Sequence, residues 1–154
     1  MPTPRLKQYL DENSVCYLTI EHSPAYTSQG IAALLHIPGW QLAKSVIVKA
    51  DERYAVVVLP APAHVDLMRV QQTLGARHVT LATEAELQAL FPGCELGAMP
   101  PFGNLYGLPV YVDERLAEDP SIVFNAGSHR EAVRMAYTDF ERLVHPKRAD
   151  LRYH

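Results

Sequence analysis

Lys44-Ser-Val-Ile-Val-Lys49 and Tyr54-Ala-Val-Val-Val-Leu59 are two β-prone runs separated by Ala50-Asp-Glu-Arg53, a spacing that predicts an antiparallel hairpin. Their nearly unbroken apolar character predicts central strands buried on both faces. Upstream, Leu6, Tyr9 and Leu10 share a helical stripe that gives way at Asp11-Glu-Asn-Ser14 to the β-prone run Cys16 to Ile20. Thr27 is placed to cap a helix presenting Ile31, Leu34 and Leu35 and ending by Pro38-Gly39. A short turn is expected over Trp40 to Ala43.

Downstream, Asp66 is expected to cap a helix that buries Leu67, Val70 and Leu74 and closes at Gly75. Thr83 with Glu86, and Thr138 with Glu141, each have capping-box spacing. Val110 to Val112, Ser121 to Phe124 and Ala132 to Tyr137 read as strands, the last alternating Val133, Met135 and Tyr137 against Arg134 and Ala136. Strands interleaved with helices make a mixed α/β protein. Without a repeat, a low-complexity tract or a linker, residues 1–154 are expected to form a single domain.

Composition narrows the function classes. The chain has 154 residues, 48% of them apolar and 20% charged, enough to bury a core without a metal or a staple. Its 17 acids against 14 bases give a net charge of −3, so wholesale electrostatic capture of DNA or an anionic membrane is not expected. Cys16 and Cys94 form no C-x-x-C pair and read as reduced, buried thiols of a cytoplasmic protein. The N-terminus carries no apolar signal-peptide core, and no run approaches the roughly 18 apolar residues of a membrane span. The histidines His22, His36, His64, His78, His145 and His154 lack zinc-site spacing. G-x-S-x-G, Walker and G-x-G-x-x-G motifs are also missing. No metal or cofactor is therefore expected, and any chemistry must proceed without a recognisable triad.

Three features stand out. Pro92 to Pro109 is dense in proline and glycine, yet Leu96, Met99, Phe102, Leu105 and Tyr106 would gain by burial, so a packed loop is expected. Its Gly97-Ala-Met-Pro-Pro-Phe-Gly103 core can present backbone N–H groups to a carbonyl, or can serve as a crossover. Lys44 opens an apolar strand with the side-chain parity of Val46 and Val48. It is either an inward cation or a strand-end lysine with its stem on apolar surface and its ammonium in water. Asn125-Ala-Gly-Ser-His129 reads as a plain turn, with a pocket wall as the alternative.

Taken together, His22-Ser-Pro-Ala-Tyr-Thr27, Ala43-Lys-Ser-Val-Ile-Val48, the G-x-x-x-P-F-G loop at Gly97 to Gly103 and the Asn125 to Ser128 turn resemble the YbaK/prolyl-tRNA-synthetase-associated editing domain. The order and spacing match over nearly the whole chain. The resemblance implies a mixed, barrel-like curved sheet flanked by helices. It also implies a freestanding trans-editing hydrolase that deacylates mischarged aminoacyl-tRNA without metal or nucleotide. Lys44 then matches the family's pocket lysine near the tRNA 3′ end. Gly97, Ala98, Met99, Pro101, Phe102 and Gly103 match the loop around the aminoacyl group. Tyr26 and Thr27 match the region that limits side-chain size. Ser45 stands where relatives often carry threonine or asparagine, and Asn125, followed by Gly127 and Ser128, where they place serine or histidine.

An aminoacyl ester is already activated, so positioned water, N–H donors and a nearby cation suffice to drive its hydrolysis. Between Glu84 and Asp119 seven acids face one base, whereas from Gly127 to His154 six bases face four acids. Weak tRNA-phosphate contacts are therefore expected among Arg130, Arg134, Arg142, Lys147, Arg148 and Arg152. Solvated surface charge explains the same residues equally well. A non-catalytic aminoacyl-binding module and a domain docking on an aminoacyl-tRNA synthetase are the competing readings. A synthetase is thus a second candidate partner beside aminoacyl-tRNA.

Overall fold

The computed structural model describes residues 2–21 and 39–153. The predicted helix from Thr27 to Leu35, the candidates Tyr26 and Thr27, and His22 and His36 lie outside these residues.

The hairpin forms as the sequence predicts. β2 (Leu42–Ala50) and β3 (Arg53–Pro60) pair antiparallel from Ala43↔Pro60 to Ala50↔Arg53, across a turn in which Asp51 takes a φ of 56°. Before it come α1 (Pro2–Glu12), β1 (Tyr17–Glu21) and a 3₁₀ turn at Gly39–Gln41. After it come α2 (Leu67–Leu74), β4 (Val79–Leu81), α3 (Glu84–Leu90) and β5 (Val110–Asp113). β6 (Ser121–Ser128), β7 (Glu131–Ala136), α4 (Tyr137–Val144) and β8 (Lys147–Ala149) follow. The strands make one mixed eight-stranded sheet in the order β1-β7-β6-β2-β3-β5-β8, with β4 alongside β2.

The alternating faces of the hairpin pack in different directions. Ala43, Ile47, Val56 and Val58 join the main core with Leu6 and Leu10 of α1, Phe102, Phe124 and Phe140. Val48, Ala55, Val57 and Leu59 pack on the other face with Val70 of α2 and Leu151. This two-sided burial explains the unbroken apolar runs. Asp66 caps α2 by accepting from the Met68 and Arg69 N–H groups, and Gly75 closes it at a φ of 66°. Thr83 and Glu86 form the expected capping box on α3.

Several local expectations are corrected. The Thr138–Glu141 capping box does not form, because β7 runs directly into α4 with Ala136 at the cap position. Glu141 instead holds Arg148 in a two-pronged pair at 2.7 and 2.8 Å. Tyr137 is accordingly the first helical residue of α4 and not the last of a strand. Cys16, read as buried, is exposed beside β1 at the end of the sheet, while Cys94 is intermediate. β4 and β8 are short strands with mostly exposed or partly exposed residues, so they carry no period to read.

Asn125 to Ser128 is not a turn but the bulged end of β6: the β6–β7 register runs Asn125↔Ala132 and then Ser128↔Glu131. Ala126 and Gly127 occupy the bulge, with Gly127 at a φ of 95°.

Candidate active site

β2 has two partners on one edge, and they do not meet. It pairs parallel with β6 only at Leu42↔Val123 and Ala43↔Phe124, and antiparallel with β4 only from Val48 to Ala50. Past Ala43 and Phe124 the two strands part, and the next residues along them are Lys44 and Asn125. A cavity of about 200 Å³ occupies this fork, lined by Leu42 to Ser45, Ala61, Gly97, Met99, Val123 to Asn125 and Ala132. Ligand sites usually span ~300–1,000 Å³, so this one suits a small group.

The Pro92–Pro109 segment supplies the facing wall. It is packed, as its apolar residues predict, although Leu96 stays partly exposed. Phe102 is its anchor, buried with ring centroids 6.2 Å from Tyr9, 5.6 Å from Phe124 and 5.7 Å from Phe140. Gly103 lies directly on Val56 and Val110 of the central strands. Phe102 and Gly103, with Ala98 and Pro101, are thus buried behind the wall and do not line the cavity. Gly97 and Met99 do line it, and no main-chain hydrogen bond of either residue is formed among the described residues.

Lys44 is half-buried at the fork, and its Nζ donates to the Ala63 carbonyl. It forms no carboxylate pair among the described residues, and burial alone pushes its ammonium below the ordinary lysine value. Lys49, of opposite parity, is instead directed to the α3 side, 3.6 Å from Glu86 and over the Tyr54 ring. Beside Lys44, the Ser45 Oγ is buried with no hydrogen-bond partner among the described residues. A half-buried ammonium without a counterion and a buried hydroxyl without a partner, both among the described residues, each cost free energy.

The structure therefore brings Lys44, Ser45, Gly97, Met99 and Asn125 together. Gly127, in the bulge, and Ser128, paired with Glu131 just past it, stand outside the lining. Of the six basic candidates, Arg142 pairs with Asp139, Arg148 with Glu141, and Arg152 with the fully buried Asp113 at 2.6 Å. Arg130, Arg134 and Lys147 form no ion pair among the described residues. Leu42, Ala61, Val123 and Ala132 line the cavity without any local sequence signal, because only the β2–β6 pairing assembles them. Among the described residues, no group of three or more His, Cys, Asp and Glu could hold a metal ion. None of the described helices is long and apolar enough to cross a membrane.

Comparison with known proteins identifies the fold and the family. A family profile described as the aminoacyl-tRNA editing domain matches residues 22–143. The Escherichia coli K12 protein named Multifunctional Ser/Thr-tRNA deacylase ProXp-y is 26% identical over 96% of this chain and 91% of its own length. The proline–tRNA ligase of Bacillus cytotoxicus is 31% identical over 56% of this chain, which matches only 15% of that enzyme. A crystal structure described as that of "a putative trans-editing enzyme for prolyl tRNA synthetase" superposes with a TM-score of 0.87 at 21% identity, covering 99% of this chain and 98% of that one. A profile match over most of the chain, on a fold shared with an editing protein, makes the chain a member of the aminoacyl-tRNA editing domain family.

Proposed function

We propose that residues 1–154 act as one editing domain that hydrolyses the ester linking a wrong amino acid to tRNA. The observation that carries this reading is the Lys44 ammonium, half-buried without a carboxylate partner among the described residues, beside a small cavity faced by the Gly97–Met99 wall. The aminoacyl group enters the fork between β2 and β6, and Lys44 holds the terminal phosphate or ribose at its mouth. Water adds to the ester carbonyl carbon, and the oxyanion that forms is stabilised by loop N–H groups and the nearby cation. The carbonyl re-forms as the bond to the ribose oxygen breaks. That oxygen takes up a proton, releasing the free amino acid and deacylated tRNA. Every step is supplied by water, amides and one ammonium, so the reaction needs neither a metal nor a protein nucleophile.

The cavity volume of about 200 Å³ favours small aminoacyl groups, in keeping with the serine and threonine in the relative's name. Ser45 and Asn125 are the residues that choose among them. Tyr26 and Thr27 belong to the same proposal as limits on side-chain size. Arg130, Arg134 and Lys147, the basic candidates without ion pairs, supply weak phosphate contacts that fade with salt. Charged tRNA, and with it a synthetase as a transient neighbour, places the protein in the cytoplasm.

A panel of tRNAs charged with alanine, serine, threonine, cysteine or proline tests the reading. Rapid ester loss from at least one small aminoacyl-tRNA is expected. Binding without hydrolysis would instead establish a non-catalytic aminoacyl-binding module, and synthetase capture without ester binding a docking domain.

A further inference from the structure

The wall bearing Gly97 and Met99 is secured very differently at its two ends. Its far end is stiffened by Pro100 and Pro101 and anchored by Phe102 in the core. Its near end, Gly93 to Gly97, is largely exposed and holds glycines at φ values of 83° and 82°. Cys94 packs on the core with its Sγ 3.5 Å from the Tyr106 hydroxyl, and beyond it the bulge of β6 secures this end. Two main-chain bonds make the join: Glu95 N–H donates to the Gly127 carbonyl at 2.9 Å, and Gly127 N–H to the Ala98 carbonyl at 2.8 Å.

Side chains close around that join. The two Glu95 carboxylate oxygens accept from the Ser128 hydroxyl and the His129 N–H, each at 3.2 Å. The His129 Nε2 lies 2.6 Å from the Leu96 carbonyl, which only a protonated nitrogen can satisfy. Its ring backs onto Gly97, where an added Cβ would stand 3.5 Å from the ring Cε1.

We infer that Glu95, with Ser128 and His129, is a positioning latch. It sets the separation between the Gly97–Met99 wall and the β6 wall carrying Asn125. Through those walls it controls how fast the ester is cleaved and how large an aminoacyl side chain is admitted. The latch acts on the walls and touches no substrate atom. The inference rests on the deacylase reading for its effect on turnover, but not for its effect on the loop.

The test uses the full chain carrying Glu95→Ala, Ser128→Ala or both. It reads amide exchange at Gly127, the thermal midpoint, and kcat and KM on the best ester of the panel and on its largest member. Glu95→Ala is expected to speed exchange at Gly127 about tenfold, the scale of a lost charge-assisted hydrogen bond, while leaving the thermal midpoint almost unmoved. On the best ester kcat falls about tenfold with KM nearly constant, and the preference for it over the largest ester narrows. At Gly127 the double variant exchanges as fast as Glu95→Ala alone, because the Glu95–Ser128 bond is already lost and the bond that Ser128 Oγ accepts from Arg130 N–H at 3.0 Å lies in the β6–β7 turn, outside the join.

Unchanged exchange at Gly127 would overturn the latch. So would faster exchange with kcat and preference both intact, or a loss of turnover that merely tracks a fallen thermal midpoint. If wild-type protein cleaves no ester, the deacylase reading fails by itself, and exchange at Gly127 still decides the latch.

Discussion

Adding one methyl group at Gly103 should unseat the cavity wall. Gly103 matches the second glycine of the family loop, yet its position is decided by packing. A Cβ there would stand 2.8 Å from Val110 Cγ2, 2.9 Å from the Leu108 carbonyl oxygen and 2.9 Å from Val56 Cγ2. All three are closer than side chains tolerate, and none is the free end of a flexible chain. Val56 and Val110 are direct partners in the parallel β3–β5 ladder, so neither yields without disturbing the centre of the sheet. The Leu108 oxygen is main chain, and Leu108 N–H already donates to the Gly103 carbonyl at 2.9 Å.

Overpacking of this kind costs about 1–3 kcal/mol, and three unyielding contacts put Gly103→Ala near ~3 kcal/mol. Gly107→Ala is the control: it has a φ of 72° but no atom within 4 Å of its added Cβ, so only backbone strain of about 1–2 kcal/mol applies. Urea unfolding of both variants compares the two costs. A Gly103→Ala protein as stable as Gly107→Ala, or one that keeps wild-type stability and loses only turnover, would refute the packing argument.

Other outcomes follow from single groups. Asp113 is fully buried and accepts from Leu151 N–H at 2.9 Å, Arg115 N–H at 3.1 Å and Arg152 Nη1 at 2.6 Å. Asp113→Ala strands Arg152 and should cost about 3–5 kcal/mol in denaturant unfolding. Hydrogen bonds from Thr83 N–H and then the Tyr54 hydroxyl, with Lys49 nearby, hold the Glu86 carboxyl at about 2 against an ordinary 4.5. Its stabilising effect is complete above the ordinary value and is lost as pH falls toward the depressed one. The unfolding midpoint of Glu86→Gln should therefore be flatter than wild type between those limits. Ser45→Ala removes a hydroxyl that bonds nothing in the free protein, so stability should hold or rise slightly. KM for the best ester should rise severalfold, as measured by steady-state deacylation.

The strands and caps that carry the fold were legible because their signals are local. The hairpin runs, Asp66 with Gly75, and Thr83 with Glu86 each depend on residues a few positions apart. Thr138 misled for the same reason: its capping box is locally sound, but the continuous passage from β7 into α4 puts the cap at Ala136, two residues earlier. The site was legible in part. Parity set Lys44 apart from Lys49, and loop composition marked Gly97 and Met99. Whether Lys44 faced a cavity or solvent could not follow from β2 alone, since the cavity exists only where β6 leaves it. The Asn125 bulge looked like a turn because small polar residues favour both. Glu95 carried no signal, and His129 stood out only as the end of that turn, as their partners lie 33 or 34 residues away.

In the proposed reaction the half-buried ammonium of Lys44, with no carboxylate partner among the described residues, drives ester cleavage in the fork between β2 and β6. Single-turnover deacylation by Lys44→Ala, on the charged tRNA that wild-type protein cleaves fastest, tests it most directly. The rate should fall by about 10²–10³, the usual loss for one such electrostatic contact, with the fold intact by circular dichroism. A variant that cleaves the ester at the wild-type rate would contradict the account.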